Sequence, residues 1–398
     1  LFFLAALGFG LLKVPALVTA ESFHSHDGIL LAHMLLLGWA TMIAMGASYQ
    51  ISQVLLRIAI YSRKISIFHL IVYAAGILFL LIGFRKWTTP EIAIGGGLVV
   101  LGVAAYAFNI GATYVRSKFR SPVSVGASLS LLDLCATVAL GTIMGIASST
   151  GWPPVRYENL FFTHMWMGLA GWMGGLVASY SLKLLPMFYV SRKFASKWNY
   201  VLILLYQAGV WLGAAGWWSG SRALSQAGLL CVVVPLGMLV WFARGVRKQS
   251  SGKQPVGAVR VADALITTTF VFALAWACLL WVNTDAALSY KALSTLILYA
   301  VLGWFTASIL SYLSKIIPFL WWADRFRTKE QKKGAVLLSD MVPHNRLTAE
   351  MLVYLSGVGL LIAGNVSGLS AVAMAGILIM AAAAVIYMAE LARVFRFR

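Results

Sequence analysis

Two histidines, His33 and His164, begin two similar apolar segments of helix length. The first segment reads HMLLLGWATMIAMGASYQIS from His33, and the second reads HMWMGLAGWMGGLVASYSLK from His164. A neutral imidazole is an effective ligand for heme iron, copper or zinc. Ionisable residues within such apolar segments are functional candidates, because burying them in hydrocarbon is costly. The pair therefore predicts a metal or heme site, and the alternative interpretation is two interfacial histidines that cap helix starts.

Two more histidines, His24 and His26, precede the first segment in the stretch ESFHSHDG. His26 and His33 are seven residues apart, so they share a face if the helix extends back that far. Glu21 and Asp27 are candidates to accept hydrogen bonds from the rings and orient them. The predicted metal ligands are His24, His26, His33 and His164, and the alternative for the first two is a solvated loop.

One carboxylate, Asp133, stands in the middle of another apolar segment, LSLLDLCATVALG. An unpaired carboxylate is expensive at such a position. It is expected to be protonated, to bond a hydroxyl such as that of Ser128 or Thr137, or to act in a proton relay. The sequence leaves the structural and relay interpretations open.

The segment that carries each histidine occurs a third time as LILYAVLGWFTASILSYLSK from Leu296, where the histidine is missing. Tyr49, Tyr180 and Tyr312 align in the shared Ser-Tyr of the three copies. They recur at intervals of about 130 residues, and a fixed period implies one structural unit used three times.

The composition is that of an integral membrane protein. Apolar residues make up 61% of the 398 residues, charged residues 11%, and the mean hydropathy is +0.86. A soluble domain carries roughly 25% charged residues. Because a span needs about 20 apolar residues, the chain has room for twelve, predicted at 1–19, 28–56, 66–84, 91–114, 124–148, 160–188, 198–218, 224–244, 261–283, 293–320, 348–366 and 369–392.

We therefore predict an all-α integral membrane protein with about twelve transmembrane helices in three pseudo-repeated four-helix arcs. The whole of 1–398 is one transmembrane domain. Its repeat units are approximately 1–64, 65–197 and 198–320, and the first is completed by 348–393. Each repeated segment, in the second, sixth and tenth spans, would then occupy the same place in its unit.

The net charge of +19 is a topology signal and does not indicate nucleic-acid binding. Basic residues crowd alternate loops, at Arg57, Arg63, Lys64, Arg116, Lys118, Arg120, Arg192, Lys193, Lys197, Arg244, Arg247, Lys248, Lys253, Arg260, Arg325, Arg327, Lys329, Lys332, Lys333, Arg346, Arg393, Arg396 and Arg398. The opposite loops carry only Arg85, Lys86, Arg156, Arg222 and Lys291. The positive-inside rule puts both termini in the cytoplasm and His33 and His164 near the outer surface.

Twelve spans with these histidines resemble subunit I of the heme-copper oxidases and their nitric oxide reductase relatives. His33, within AHMLLLGW, resembles that family's second-helix ligand of the low-spin heme, and His164, within THMWMGLAGW, falls where the family places its first copper ligand. A bacterial group of heme- and copper-containing membrane proteins linked to nitric oxide stress is similar in type. The resemblance implies b-type heme, copper, and a bacterial or archaeal cytoplasmic membrane.

The sequence also departs from that family at the second metal site. The seventh span, NYVLILLYQAGVWLGAAGWW, lacks the family's adjacent histidine pair, and the tenth span lacks its axial histidines. Gly168 stands where the family carries its cross-linked tyrosine. The usual oxygen- or nitric-oxide-reducing centre is therefore not expected.

The expected function is electron transfer or the handling of a diatomic gas, with heme b or copper bound near the outer surface. The expected partners are the lipid bilayer, an electron donor and other subunits of a membrane redox complex. Two alternatives remain open. One is a cofactor-free accessory or scaffold subunit, and the other is a transporter of metal, heme or a small solute.

Overall fold

The computed structural model describes residues 5–8, 10, 13, 25–150, 156–191, 197–251, 256–326 and 336–397. Regular structure in these ranges is helical, apart from an isolated β-bridge between Ser191 and Ser250. The long helices are α1 (His26–Leu56), α2 (Arg63–Lys86), α3 (Thr89–Arg116), α4 (Pro122–Thr150), α5 (157–188), α6 (Lys197–Ser219), α7 (Arg222–Lys248), α8 (Val259–Val282), α9 (Tyr290–Arg325), α10 (His344–Ser367) and α11 (Ser370–Ala392).

Ten of these eleven helices, all except α5, are long and apolar enough to cross a bilayer. Helices suit that environment because they satisfy every internal backbone polar group without water. The described part of the chain is therefore an all-α, multi-pass membrane protein. The eleven helices coincide with the second to twelfth predicted spans, and the largest shift is at the end of α9, predicted at 320 and observed at Arg325. The first predicted span, 1–19, lies largely outside the described residues, so the total of twelve stays a prediction.

Three tight helical hairpins follow the three repeated segments. The pairs α2–α3, α6–α7 and α10–α11 are each joined by two residues. The first residue of each turn has a left-handed backbone, with φ of 55° at Trp87, 69° at Gly220 and 76° at Gly368. Glycines let the paired helices touch closely. A Cβ on Gly228, for example, would overlap the backbone of Gly213.

Each repeated segment contains a stretch of π-helix. These stretches are Leu36–Thr41 in α1, Met167–Gly174 in α5 and Tyr299–Thr306 in α9. Each begins three residues after the first residue of its copy. The wider π turn is rare and is often found at functional sites. The sequence repeat is therefore matched by a repeated irregularity of the backbone.

A buried tyrosine from the following hairpin supports each π-helical stretch. The Tyr73 hydroxyl donates to the Leu37 carbonyl (3.1 Å). In the same way, the Tyr206 hydroxyl donates to the Ala170 carbonyl (2.8 Å), and the Tyr354 hydroxyl donates to the Leu302 carbonyl (3.2 Å). These bonds fix the hairpins α2–α3, α6–α7 and α10–α11 against α1, α5 and α9.

The three helices that carry the repeat also bond to one another. From α5 to α1, the Trp172 indole donates to the Thr41 hydroxyl (3.0 Å), and the Tyr180 hydroxyl donates to the Ser48 hydroxyl (2.7 Å). Between α9 and α5, the hydroxyls of Tyr312 and Ser181 lie 2.8 Å apart. All six side chains are buried. The shared Ser-Tyr thus lies at the contact between copies.

Candidate metal centre

His33 and His164 occupy matching places on α1 and α5. Each lies seven residues after the first residue of its helix and three residues before the π-helical stretch. Both side chains are half-buried. The bonds between α1 and α5 around Thr41 and Ser48 hold the two helices side by side, so the histidines face the same space.

The structure brings the two imidazoles together. Their ring centroids are 6.4 Å apart, and the ring planes differ by only 18°. Two imidazole nitrogens that bind one metal ion from opposite sides, at about 2 Å each, place the ring centroids about 6 Å apart. The observed separation of 6.4 Å is close to that value.

Backbone carbonyls orient both rings. His33 Nδ1 lies 2.8 Å from the Ile29 carbonyl oxygen, and His164 Nδ1 lies 2.9 Å from that of Thr137. A carbonyl oxygen only accepts, so in each ring Nδ1 carries the hydrogen and donates it. In a neutral imidazole, Nε2 then keeps its lone pair for a metal. A backbone acceptor on the other ring nitrogen is the usual support of a metal-bound histidine.

Aromatic and small residues complete the surroundings of the pair. The Phe84 ring, at the end of α2, lies 4.8 Å from that of His33 between centroids. On α4, a Cβ added to Gly141 would lie 3.1 Å from His164 Cε1. Gly141 therefore leaves just enough room for the His164 ring.

The other predicted ligands are placed differently. The His26 ring is exposed and stacks on Trp87, with centroids 3.7 Å apart and planes 10° apart. Asp27 pairs with Lys13 at 2.8 Å and with Arg85 at 3.9 Å. His24 lies outside the described residues, as does Glu21. Over the described ranges, no three residues among His, Cys, Asp and Glu form a group that could hold a metal ion.

Asp133 is fully buried on α4, and its carboxyl is bonded to an amide. Gln207 Nε2 donates to Asp133 Oδ1 at 2.6 Å. The Thr137 hydroxyl bonds instead to the backbone carbonyl of Asp133 (2.7 Å), and the Ser128 hydroxyl to that of Ser124. Of the interpretations left open by the sequence, a structural hydrogen bond is present, but its donor is an amide and not a hydroxyl.

The glycines near His164 serve helix packing. A Cβ on Gly168 would lie 3.2 Å from a Thr137 side-chain carbon, and one on Gly171 would lie 2.8 Å from Asp133 Cβ. Both glycines therefore face α4 closely.

A third histidine, His69, is buried away from the pair. Its Nε2 lies 3.2 Å from the Met45 sulfur, and three tyrosine rings surround it, those of Tyr49, Tyr73 and Tyr106. Met45 is twelve residues beyond His33 on α1, about 18 Å along a helix. His69 and His33 therefore belong to different sites.

Sequence reasoning missed the residues that brace the site. Gln207, Thr41 and the tyrosines of the hairpins are ordinary residues of apolar helices when read one by one. A usable signal is present, because Tyr73, Tyr206 and Tyr354 each stand in the helix after a repeated segment.

No protein-family model matches the sequence, and comparison with curated proteins gives no match. The fold defines the class as an all-α multi-pass membrane protein, and the site is a pair of imidazoles between two of its helices.

Proposed function

We propose that His33 and His164 bind one b-type heme iron through their Nε2 atoms, and that the protein transfers electrons in a bacterial or archaeal cytoplasmic membrane. The observation that carries the proposal is the pair of near-parallel rings with centroids 6.4 Å apart. Each ring is also held by a backbone carbonyl at Nδ1, which leaves Nε2 to bind the metal.

The small number of protein ligands favours heme over a bare metal ion. A structural zinc site takes four protein ligands, and a catalytic one takes three. The described residues offer two imidazoles and no third ligand in a group with them. A porphyrin supplies four equatorial nitrogens, so iron at its centre needs only two axial ligands from the protein. Copper would require a further ligand, for which His24 is the candidate from the sequence.

The proposed site suits electron transfer better than gas binding. His33 and His164 together would hold the iron from the protein side, and a heme held in this way would supply one-electron chemistry and leave no position for a diatomic ligand. In the heme-copper oxidases that the sequence resembles, the equivalent histidines serve two different cofactors. Here the 6.4 Å separation supports a single shared one.

The proposal includes the three-arc plan and its orientation. The three hairpins with two-residue turns and the three π-helical stretches support a unit used three times. The distribution of basic residues favours an orientation in which the His33 end of α1 lies at the outer surface. The heme would then lie near the outer surface, within reach of an electron donor or another subunit of a redox complex.

The test is a pyridine hemochrome assay with metal analysis on the purified protein and its variants. We expect one heme b per chain, with sharp reduced α and β bands. His33→Ala and His164→Ala should each lower the heme content at least tenfold, because second-sphere changes alone cost 10–100-fold and these remove a ligand. His26→Ala is the matched control and should keep its heme, since that ring stacks on Trp87.

A ligand exchange sharpens the test. His33→Met replaces one axial nitrogen by a thioether, and this kind of ligation raises the reduction potential of heme. A heme-loaded His33→Met protein with an unchanged potential would show that His33 is not an axial ligand. A colourless wild-type protein without bound metal would refute the proposal and favour a scaffold subunit or a transporter.

A further inference from the structure

Two neighbouring loops, which join α1 to α2 and α3 to α4, carry six basic residues and no acidic one. With the helix ends beside them they span residues 57–64 and 116–121, and we call them the basic loop pair. Its basic residues, all of them exposed, are Arg57, Arg63, Lys64, Arg116, Lys118 and Arg120. The sequence from 28 to 132 holds a single acidic residue, Glu91, which lies in the first turn of α3, at the opposite end from Arg116.

The basic loop pair differs in this respect from other basic regions of the protein. Arg247 Nε lies 3.3 Å from the buried carboxylate of Asp263. The buried carboxylate of Glu390 pairs with Arg346 at 2.8 Å and with Arg393 at 2.9 Å. Within the described ranges, no ion pair joins a basic residue of the basic loop pair to a carboxylate. Its positive charge is therefore left for an external anion to balance.

Hydrogen bonds fix the α1–α2 loop against the end of α3. The Tyr61 amide donates to the Thr113 hydroxyl at 2.9 Å. The Ser62 amide donates to Asn109 Oδ1, and Asn109 Nδ2 donates to the Ser62 carbonyl, both at 2.9 Å. The basic residues are therefore presented on a surface of defined shape.

Two arginines reach across from one loop to the other. The guanidinium carbon of Arg57 lies 4.7 Å from the ring centroid of Phe119, and that of Arg116 lies 4.3 Å from the ring centroid of Tyr61. Such a contact holds a guanidinium against a ring and leaves the N–H groups at its edges able to donate. Neither guanidinium has a hydrogen-bond acceptor among the described residues. Both can therefore donate to a ligand.

The basic residues at the start of α2 are unfavourable for the helix itself. Arg63 and Lys64 are its first two residues, and its first turn holds no acidic residue. A helix N-terminus carries a partial positive charge, which favours anions and disfavours cations. An anion bound here would stabilise the two side chains and the helix end together.

Exposed apolar side chains continue from the basic loop pair along α3. Val115 precedes Arg116 and is 79% exposed. The Phe108 ring, also exposed, packs edge-on against that of Tyr61, with centroids 5.5 Å apart. In a membrane protein, such a surface contacts the acyl chains of lipids. A ligand with an anionic head and apolar chains therefore fits both surfaces at once.

We infer that the basic loop pair binds the phosphate headgroup of an anionic phospholipid, such as phosphatidylglycerol. Arg57 and Arg116 donate to the phosphate oxygens, an arrangement that suits the planar guanidinium group. The other basic residues add positive potential, which attracts anionic lipids to the ends of membrane helices. Phe108 and Val115 contact the acyl chains. Binding requires neither His33 nor a heme.

The test measures lipid binding to the full chain in detergent by native mass spectrometry. Dioleoylphosphatidylglycerol is compared with dioleoylphosphatidylcholine, which has the same acyl chains and a phosphate but no net charge. Glycerol phosphate supplies the charged group without acyl chains and distinguishes a lipid from a free phosphate ester. We expect saturable binding of phosphatidylglycerol, weaker binding of phosphatidylcholine, and no retention of glycerol phosphate.

Two double variants and a matched control locate the site. Arg57→Gln with Arg116→Gln should lower the affinity for phosphatidylglycerol about thirtyfold, because each basic residue at the membrane surface contributes about fivefold. Arg57→Lys with Arg116→Lys keeps the charge but loses the planar donor group, so part of the affinity should be lost. The control, Arg244→Gln with Lys248→Gln, removes two exposed charges at the end of α7 and should leave the affinity unchanged.

A third double variant guards against misfolding. Arg63→Gln with Lys64→Gln removes cations that are unfavourable at the start of α2, so it should fold and still bind phosphatidylglycerol more weakly. Thermal unfolding without added lipid shows whether each variant is folded.

Four results would overturn the inference. They are equal affinity for the two lipids, equal binding of glycerol phosphate, wild-type affinity in either folded glutamine variant of the basic loop pair, and a lysine variant that binds as the wild type does. The last result would show that net charge alone attracts the lipid.

Discussion

The substitution Gly141→Ala tests whether the position of the His164 ring controls binding of the proposed heme. The added Cβ would lie 3.1 Å from His164 Cε1 and 3.5 Å from its Nδ1. The first contact is closer than an ordinary van der Waals contact, so the ring has to move by a few tenths of an ångström. The same movement disturbs the 2.9 Å bond from Nδ1 to the Thr137 carbonyl.

The expected size of the effect follows from these contacts. Overfilling a packed site typically costs about 1–3 kcal/mol. Changes behind a metal-bound histidine typically lower metal affinity about 10–100-fold. The added methyl group touches only one edge of the ring, so its effect should lie at the lower end of both ranges. We therefore expect heme affinity to fall about tenfold, or about 1.4 kcal/mol.

The matched control is Gly145→Ala, one helical turn further along α4. A Cβ there meets no atom within 4 Å. Titration of the heme-free proteins with hemin, followed at the Soret band, gives the two affinities. Thermal unfolding of each heme-free variant in detergent shows whether the fold is retained. Wild-type affinity in Gly141→Ala, or an equal loss in Gly145→Ala, would refute the reasoning.

Three further substitutions test the packing by thermal or chemical unfolding in detergent. Gln207→Leu removes the donor to the buried Asp133 carboxyl and should lower the free energy of unfolding by about 1–3 kcal/mol. Asp133→Asn keeps an acceptor for Gln207 and should lower it less. Equal losses in the two variants would contradict this reasoning. Gly228→Ala forces α6 and α7 apart and should destabilise far more than Gly97→Ala, whose added Cβ meets no atom within 4 Å. Tyr354→Phe removes the bond to the α9 carbonyl and should cost about 1 kcal/mol; an unchanged midpoint would show that this bond does not stabilise the fold.

The helices were predictable because the bilayer imposes a simple rule on sequence. A run of about 20 apolar residues between polar turns predicts a membrane span without any knowledge of how the helices pack. Ten of the eleven described long helices follow the predicted spans for that reason. The repeated segment also indicated that α1, α5 and α9 are equivalent helices. What the repeat could not show is the backbone irregularity, since LLGWAT reads as ordinary helix.

The candidate site was predictable in its residue types and only partly in its geometry. Equivalent positions in two copies marked His33 and His164, but their 6.4 Å separation depends on how α1 packs against α5. The contact of His26 with Trp87 could not be predicted either, because it depends on how close the α2–α3 turn comes in space. The hydrogen bond from Gln207 to Asp133 could not be predicted from the sequence, because Gln207 is on a different helix, α6.

The π-helical stretches in α1 and α5 set the direction in which the histidines point. Each residue of an α-helix advances by about 100° around the axis. A π turn holds about one residue more than an α turn. If the same residues, Met167–Gly174, were wound as an ordinary α-helix, the part of the helix before them would rotate by about that angle relative to the Ser-Tyr end. His164 would then swing away from His33 while Tyr180 stayed against Ser48. The π-helical winding of these six- and eight-residue stretches thus determines how the two imidazole rings are oriented relative to each other.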